Sequence, residues 1–175
     1  MVLINGGSIL IGSDKGEDAR PNEQPAFHAS VKSFWIDRTT VTVSDYRACV
    51  KAGKCTADFL KCAPQATYQA NGKGNHPINC VSWQDAIEYC KGVSKRLPHL
   101  DEWRRARSSI SFCQEVGGVC PLFEWSMDPT SLSGYRATRG PSFRYPGALE
   151  GSNIEIARND DLGFRCARDP LTWAP

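Results

Sequence analysis

Eight cysteines carry most of the chemistry this 175-residue chain could perform: Cys49, Cys55, Cys62, Cys80, Cys90, Cys113, Cys120 and Cys166. A thiolate can hold a soft metal, attack as a nucleophile, or join a second thiol. Structural zinc is usually held by cysteine pairs spaced C-x2-4-C. The tightest spacings here are C-x5-C from Cys49 to Cys55, and C-x6-C from Cys55 to Cys62 and from Cys113 to Cys120, and none fits. An even number of cysteines at wide spacing reads instead as a disulfide framework made in an oxidising compartment. The expected setting is therefore extracytoplasmic: periplasmic, secreted or ectodomain.

Other chemistries are poorly served. His28, His76 and His99 lie far apart with no HxxxH or HxH spacing, so they do not form a metal-binding cluster in sequence. There is no GxSxG, no P-loop and no GxGxxG opening a helix. The net charge of +2 is too small to argue for nucleic acid. Arg104, Arg105 and Arg107 sit beside Asp101 and Glu102, the pattern of a solvated helix face. No apolar run approaches the roughly 20 residues of a membrane helix, so no membrane insertion is expected. The opening MVLINGGSILIGSD lacks the cationic start of a signal peptide and reads as strand. Composition is that of a globular domain, 41% apolar and 23% charged, and residues 1–175 are expected to form one domain.

These residues must be positioned by short elements. Residues 1–12 alternate as strand around a Gly6-Gly7 turn, and 28–42 are rich in β-branched and aromatic residues, one or two strands. Residues 13–26 read as a polar surface loop. Ser44 is the expected cap of a helix from Asp45 to about Ala52, ended by Gly53. Residues 54–79 read as a long loop that needs staples or a function. Ser82 caps the clearest helix, with Asp85 at its third position in a variant capping box. Trp83, Ala86, Ile87, Cys90 and Val93 recur at helical spacing there, so Cys90 faces the core. A further helix runs from Leu100 to Arg107, and short strands and loops follow. The fold class expected is α+β around one core.

Four blocks, in order, resemble the formylglycine-generating enzyme (sulfatase-modifying factor) family: INGGSILIGSD with FWIDRTTVTVSDY, HPINCVSWQDAIEYC, KRLPHLDEWRRA, and RGPSF with DLGFRCARD. The resemblance covers almost the whole chain and implies a compact α+β fold of the C-type lectin-like kind, with short strands, few helices and many loops. Within these blocks Trp83, Trp103, Phe34 and Phe164 are expected to point inward, and Arg96 with Glu102 to form a structural ion pair.

The resemblance also exposes departures. Active members hold copper on two cysteines just after the block matching RGPSF; here Tyr145 and Glu150 stand at those positions, and residues 141–165 contain no cysteine. Copper(I) needs soft thiolates, so the family's catalytic centre is not expected and no catalytic residue is assigned. One family disulfide is absent at both ends, with Arg107 and Glu155 in its places. Another is implied between Cys90 and Cys166. The family's calcium-bearing segment is short here, and Pro121 replaces an Asn ligand while Glu124 and Trp125 are kept, so calcium is not favoured and Glu124 is the one candidate ligand. No lectin-type Glu-Pro-Asn or Gln-Pro-Asp loop occurs. For the other cysteines we expect Cys113–Cys120, Cys55–Cys62 and Cys49–Cys80.

A fold without its catalytic thiols points to a binding or sensor module. The loops 126–136 and 141–160 form the expected display surface, with Phe143, Arg144, Tyr145, Glu150, Asn153 and Arg158 as candidate ligand-binding residues. The expected ligand is a protein, peptide or glycan. Two alternatives are an oxidase of the same family type with a relocated thiol site, and a structural subunit of a larger assembly.

Overall fold

The computed structural model describes residues 1–12, 25–107, 122–148 and 150–170. Nine short strands and three helices are found among them. Strands β1 (Val2–Ile4), β4 (Phe34–Ile36) and β9 (Ala167–Arg168) form one antiparallel sheet, in the order β1-β4-β9. Strands β2 (Gly7–Ile11) and β3 (Phe27–Val31) form a separate antiparallel pair. The third sheet runs β7-β6-β5-β8, built from β5 (Phe123–Pro129), β6 (Tyr135–Arg139), β7 (Glu150–Ile154) and β8 (Leu162–Gly163). In it β5 pairs antiparallel with β6 and parallel with β8, which leaves β7 at the edge. This is the α+β class expected.

Local chemistry sets the helices α1 (Val43–Lys51), α2 (Trp83–Gly92) and α3 (Leu100–Arg107). In α2 the Ser82 hydroxyl accepts from Asp85 N at 3.2 Å, and the Asp85 carboxylate accepts from Ser82 N at 2.7 Å. That is the expected capping box, two orphan amides satisfied reciprocally. Helix α1 starts earlier than expected. Thr42, not Ser44, is its cap, because Thr42 and Asp45 make the same reciprocal pair. Helix α3 is capped from outside: Asp128, on β5, accepts from Leu100 N at 2.7 Å.

The main core lies between α1, α2 and the third sheet, with Val43, Tyr46, Ile78, Leu97, Trp125 and Phe164 all buried. Tyr46 stacks on Tyr89 at 5.7 Å, and Tyr89 meets Phe164 edge-on at 5.4 Å. Burial pushes the Tyr46 hydroxyl well above its ordinary range and the Tyr89 hydroxyl up to about 12. A smaller cluster of Ile4, Phe34, Ile36, Trp103, Ala106 and Ala167 sits under the first sheet. Of the four aromatics expected inside, Phe34, Trp103 and Phe164 are buried. Trp83 is half-buried, with the Arg136 guanidinium 4.1 Å above its ring and its Nε1–H donated to Ser126 O.

Three disulfides pin the described residues, among which no cysteine is free. Cys90 is bonded to Cys166, joining α2 to the segment before β9. The long loop is stapled differently from expectation: the pairs are Cys49–Cys55 and Cys62–Cys80, not Cys49–Cys80 and Cys55–Cys62. The reason is local. Helix α1 ends at Lys51 with Ala52 as its cap, and Gly53 reverses the chain in the left-handed region (φ 69°), which brings Cys55 back to Cys49 in the last turns of α1, 5.4 Å away between Cα atoms. The loop then moves off, and Cys62 reaches Cys80 just ahead of α2. Cys113 and Cys120 lie outside the described residues.

Buried Asn79 also anchors this loop. Its Oδ1 accepts from Thr67 N and Oγ1, and its Nδ2 donates to Gln65 O and Asp160 O at 2.9 and 2.7 Å. One side chain thereby ties the loop to the segment before β8.

Candidate functional site

Strands β5, β6 and β7, the loop 141–148 and the segment 158–161 enclose a cleft of about 560 Å³. Arg144, Tyr145, Glu150, Asn153 and Arg158 all line it. The structure therefore gathers five of the six candidates in one place. Phe143, the sixth, is not among the lining residues; it is exposed, with the Arg144 guanidinium 5.3 Å over its ring. Cys62 and Ala63 of the stapled loop form part of the wall. Sequence reasoning missed Phe123, Thr138, Gly151, Asp160 and Asp161, which also line the cleft. The adjacency of Asp160 and Asp161 to the GFRC block was the available signal for those two. Thr138 and Gly151 meet only through the antiparallel register of β6 with β7, which no sequence pattern announces.

The charged groups are held in pairs. Asp160 is buried and accepts from Arg144 Nε and Nη2 at 2.7–3.0 Å. These bonds hold the Arg144 guanidinium above its ordinary range. Arg158 pairs with Asp85, the capping residue of α2, and lies 5.7 Å over the Phe59 ring. Glu150 pairs with Arg104 of α3 at 2.7 Å and also with Arg139. Burial would raise the Glu150 carboxyl, but the bonds from Arg139 and Arg104 outweigh it and hold the group below its ordinary value. Arg139 is itself pushed down by burial, against the pull of Glu150. Asp161, also buried, accepts the Ser142 hydroxyl at 2.9 Å.

This arrangement does not fit the family's copper. At the two positions expected to carry thiols, Tyr145 offers an exposed phenol and Glu150 a carboxylate already engaged by two guanidinium groups. Neither is a soft donor. Among the described residues no three His, Cys, Asp or Glu side chains converge as a cation site.

Glu124, the candidate calcium ligand, has a different occupation. Arg165 Nε and Nη2 each donate to one of its oxygens at 2.6 Å, and both residues are buried. Arg165 Nη1 also donates to Asp37 O and Arg38 O, and Trp103 Nε1 donates to Glu124 Oε2. The positive charge at this carboxylate is the chain's own arginine. The Arg96–Glu102 pair is bidentate at 2.7 Å, as expected of a structural ion pair.

No helix among the described residues is long and apolar enough to cross a membrane. Comparison with known proteins places these features in context. A formylglycine-generating enzyme of Streptomyces coelicolor is 30% identical over 143 residues, covering 60% of this chain and 46% of its own. The inactive C-alpha-formylglycine-generating enzyme 2 of Mus musculus is 30% identical over 145 residues, covering 61% and 46%. The chain thus spans about half the length of these two relatives. The structure of PvdO from Pseudomonas aeruginosa superposes with a TM-score of 0.72 at 20% identity, covering 97% of this chain and 94% of that one, a likeness of fold. The model of the sulfatase-modifying factor enzyme 1-like domain matches residues 1–110, a stretch that holds all three helices and ends before the strands of the cleft. The chain belongs to that family.

Proposed function

We propose that this domain is a non-catalytic binding module that takes a protein, peptide or glycan ligand in the cleft between β7 and the loop 141–148, outside the cytoplasm. One observation carries the reading: five recognition-type side chains converge on a cleft whose two expected thiol positions hold Tyr145 and Glu150. The volume lies within the roughly 300–1,000 Å³ typical of ligand sites. The rigid setting, a sheet edge backed by the Cys62–Cys80 staple, suits recognition. The three disulfides support an oxidising compartment. A relocated thiol centre finds no support in the six described cysteines, which are all bonded to one another.

The test has two arms. Purified domain is given copper(I), oxygen and a cysteine-containing peptide, and mass spectrometry looks for conversion of the cysteine to an aldehyde; none is expected. Separately, ligands are selected from peptide-display and glycan libraries, then re-measured against Tyr145→Ala and Asn153→Ala. Hits are expected to weaken with both variants. Aldehyde formation, or ligands indifferent to both substitutions, would defeat the reading.

A further inference from the structure

We propose that the cleft selects an uncharged, hydroxyl-bearing ligand, a neutral glycan, and that the buried Thr138 hydroxyl is its specificity contact. This rests on the binding reading above. Thr138 lies on β6 at 0% exposure and is among the residues that line the cleft, and its buried Oγ1 has no hydrogen-bond partner. Buried hydroxyls are almost always paired, so an unpaired one facing a cavity marks a place where a ligand atom completes the pairing. A hydroxyl both donates and accepts, and a sugar hydroxyl answers it in either sense.

Access to Thr138 depends on Gly151, its cross-strand neighbour. A Cβ at position 151 would sit 3.0 Å from Thr138 Oγ1 and 3.8 Å from the Phe123 ring. Gly151 is not among the residues with left-handed φ, so its backbone does not demand glycine. What the missing side chain provides is space above the hydroxyl.

The electrostatics favour a neutral ligand. Every carboxylate and guanidinium lining the cleft already has a partner within the protein, so a charged ligand would have to break a pair or be desolvated without one. A hydroxyl can add to these pairs without breaking them. Arg144 commits Nε and Nη2 to Asp160, which leaves the Nη1 hydrogens. Asn153 uses Oδ1 to accept from Asn159, which leaves its amide hydrogens. The Tyr145 ring, 60% exposed at the mouth, supplies an apolar face with a polar tip, suited to the flat C–H side of a sugar ring. A peptide laid on the free edge of β7 is the competing occupant; it would use main-chain bonds and leave Thr138, one strand further in, unanswered.

The probe is a glycan array carrying neutral and acidic sets, the latter sialylated, sulfated or uronate-containing, read with the intact domain. Neutral glycans that bind are then titrated calorimetrically. Signal is expected in the neutral set. Thr138→Val, which keeps the shape and removes the hydroxyl, should weaken binding about three- to tenfold without lowering the melting midpoint. Gly151→Val, which fills the space above it, should abolish binding in a folded protein. Equal binding of acidic glycans, Thr138→Val binding as tightly as wild type, or an array with no signal overturns the inference. If peptides from the display library bind and Gly151→Val blocks them while no glycan does, the neutral-glycan inference fails and the binding reading stands. If no ligand of any class responds to Gly151→Val, both fail.

Discussion

Replacing Glu124 by Gln should cost this domain about a fifth or more of its stability. Arg165 is 0% exposed and Glu124 5%, so neither charge has water to fall back on. The wild-type carboxylate takes two guanidinium N–H groups at 2.6 Å each and the Trp103 indole N–H at 3.3 Å. Glutamine keeps the shape and one acceptor but turns an NH2 toward a cationic donor. Breaking a buried pair from one side costs about 3–5 kcal/mol, because the remaining charge is left uncompensated. Set against a total of about 5–15 kcal/mol, that lowers the melting midpoint by roughly 6–20 °C at about 2–4 °C per kcal/mol for a domain of this size. The assay is thermal and urea unfolding of both proteins with disulfides oxidised. Removing both charges, with Glu124→Leu and Arg165→Met together, should cost less than Glu124→Gln alone, since no uncompensated charge is then left buried. A Glu124→Gln loss below about 1 kcal/mol, or a double variant worse than the single, would refute the reasoning.

Two further outcomes follow from the same coordinates. Replacing Cys90 and Cys166 together by Ala should cost about 4–5 kcal/mol on the chain-entropy model for a separation of 76 residues, read as a fall in the urea midpoint; an unchanged midpoint would show that the bond does not restrain the unfolded chain. The depressed carboxyl of Glu150 contributes stability that is fully present above its ordinary value of 4.5 and is lost as pH falls through the lower folded value. Wild type should therefore melt above Glu150→Gln by a constant margin at neutral pH, and that margin should close in acid. A margin independent of pH would mean that the carboxylate charge is not what Arg104 and Arg139 stabilise.

What was legible in the sequence is what is decided locally. The Ser82–Asp85 capping box is a contact across three residues, and it forms as read. Thr42 and Asp45 carry the same signal, but Ser44 lies between them and competes as a cap on type alone; the hydrogen-bond geometry decides. Cys90–Cys166 forms as the resemblance implied, but the pairing of Cys49, Cys55, Cys62 and Cys80 escaped because it depends on where Gly53 sends the chain after α1. The cleft was half legible. Arg144, Tyr145 and Glu150 follow the RGPSF block and sit on one loop and the strand after it, so their neighbourhood follows from chain order. Thr138, Gly151 and Asp160 reach the same space from different strands and segments, and only register and the Asn79 tether bring them there.

The first sheet has a consequence for how the chain is made. Strand β4, near the front, is bounded on one side by β1 and on the other by β9, and Trp35 pairs with Arg168. At about 5–20 residues per second of synthesis, the partner of Trp35 is made roughly 7–27 s after Trp35 itself. Through that interval one edge of β4 lacks its partner, and Cys90 has no Cys166 to meet, while Cys49–Cys55 and Cys62–Cys80, separated by 6 and 18 residues, have both members present. The N-terminal half can thus be stapled locally before the last strand arrives to close the sheet, and among the six described cysteines the one that waits longest for its partner is Cys90, which ties α2 to the segment before β9.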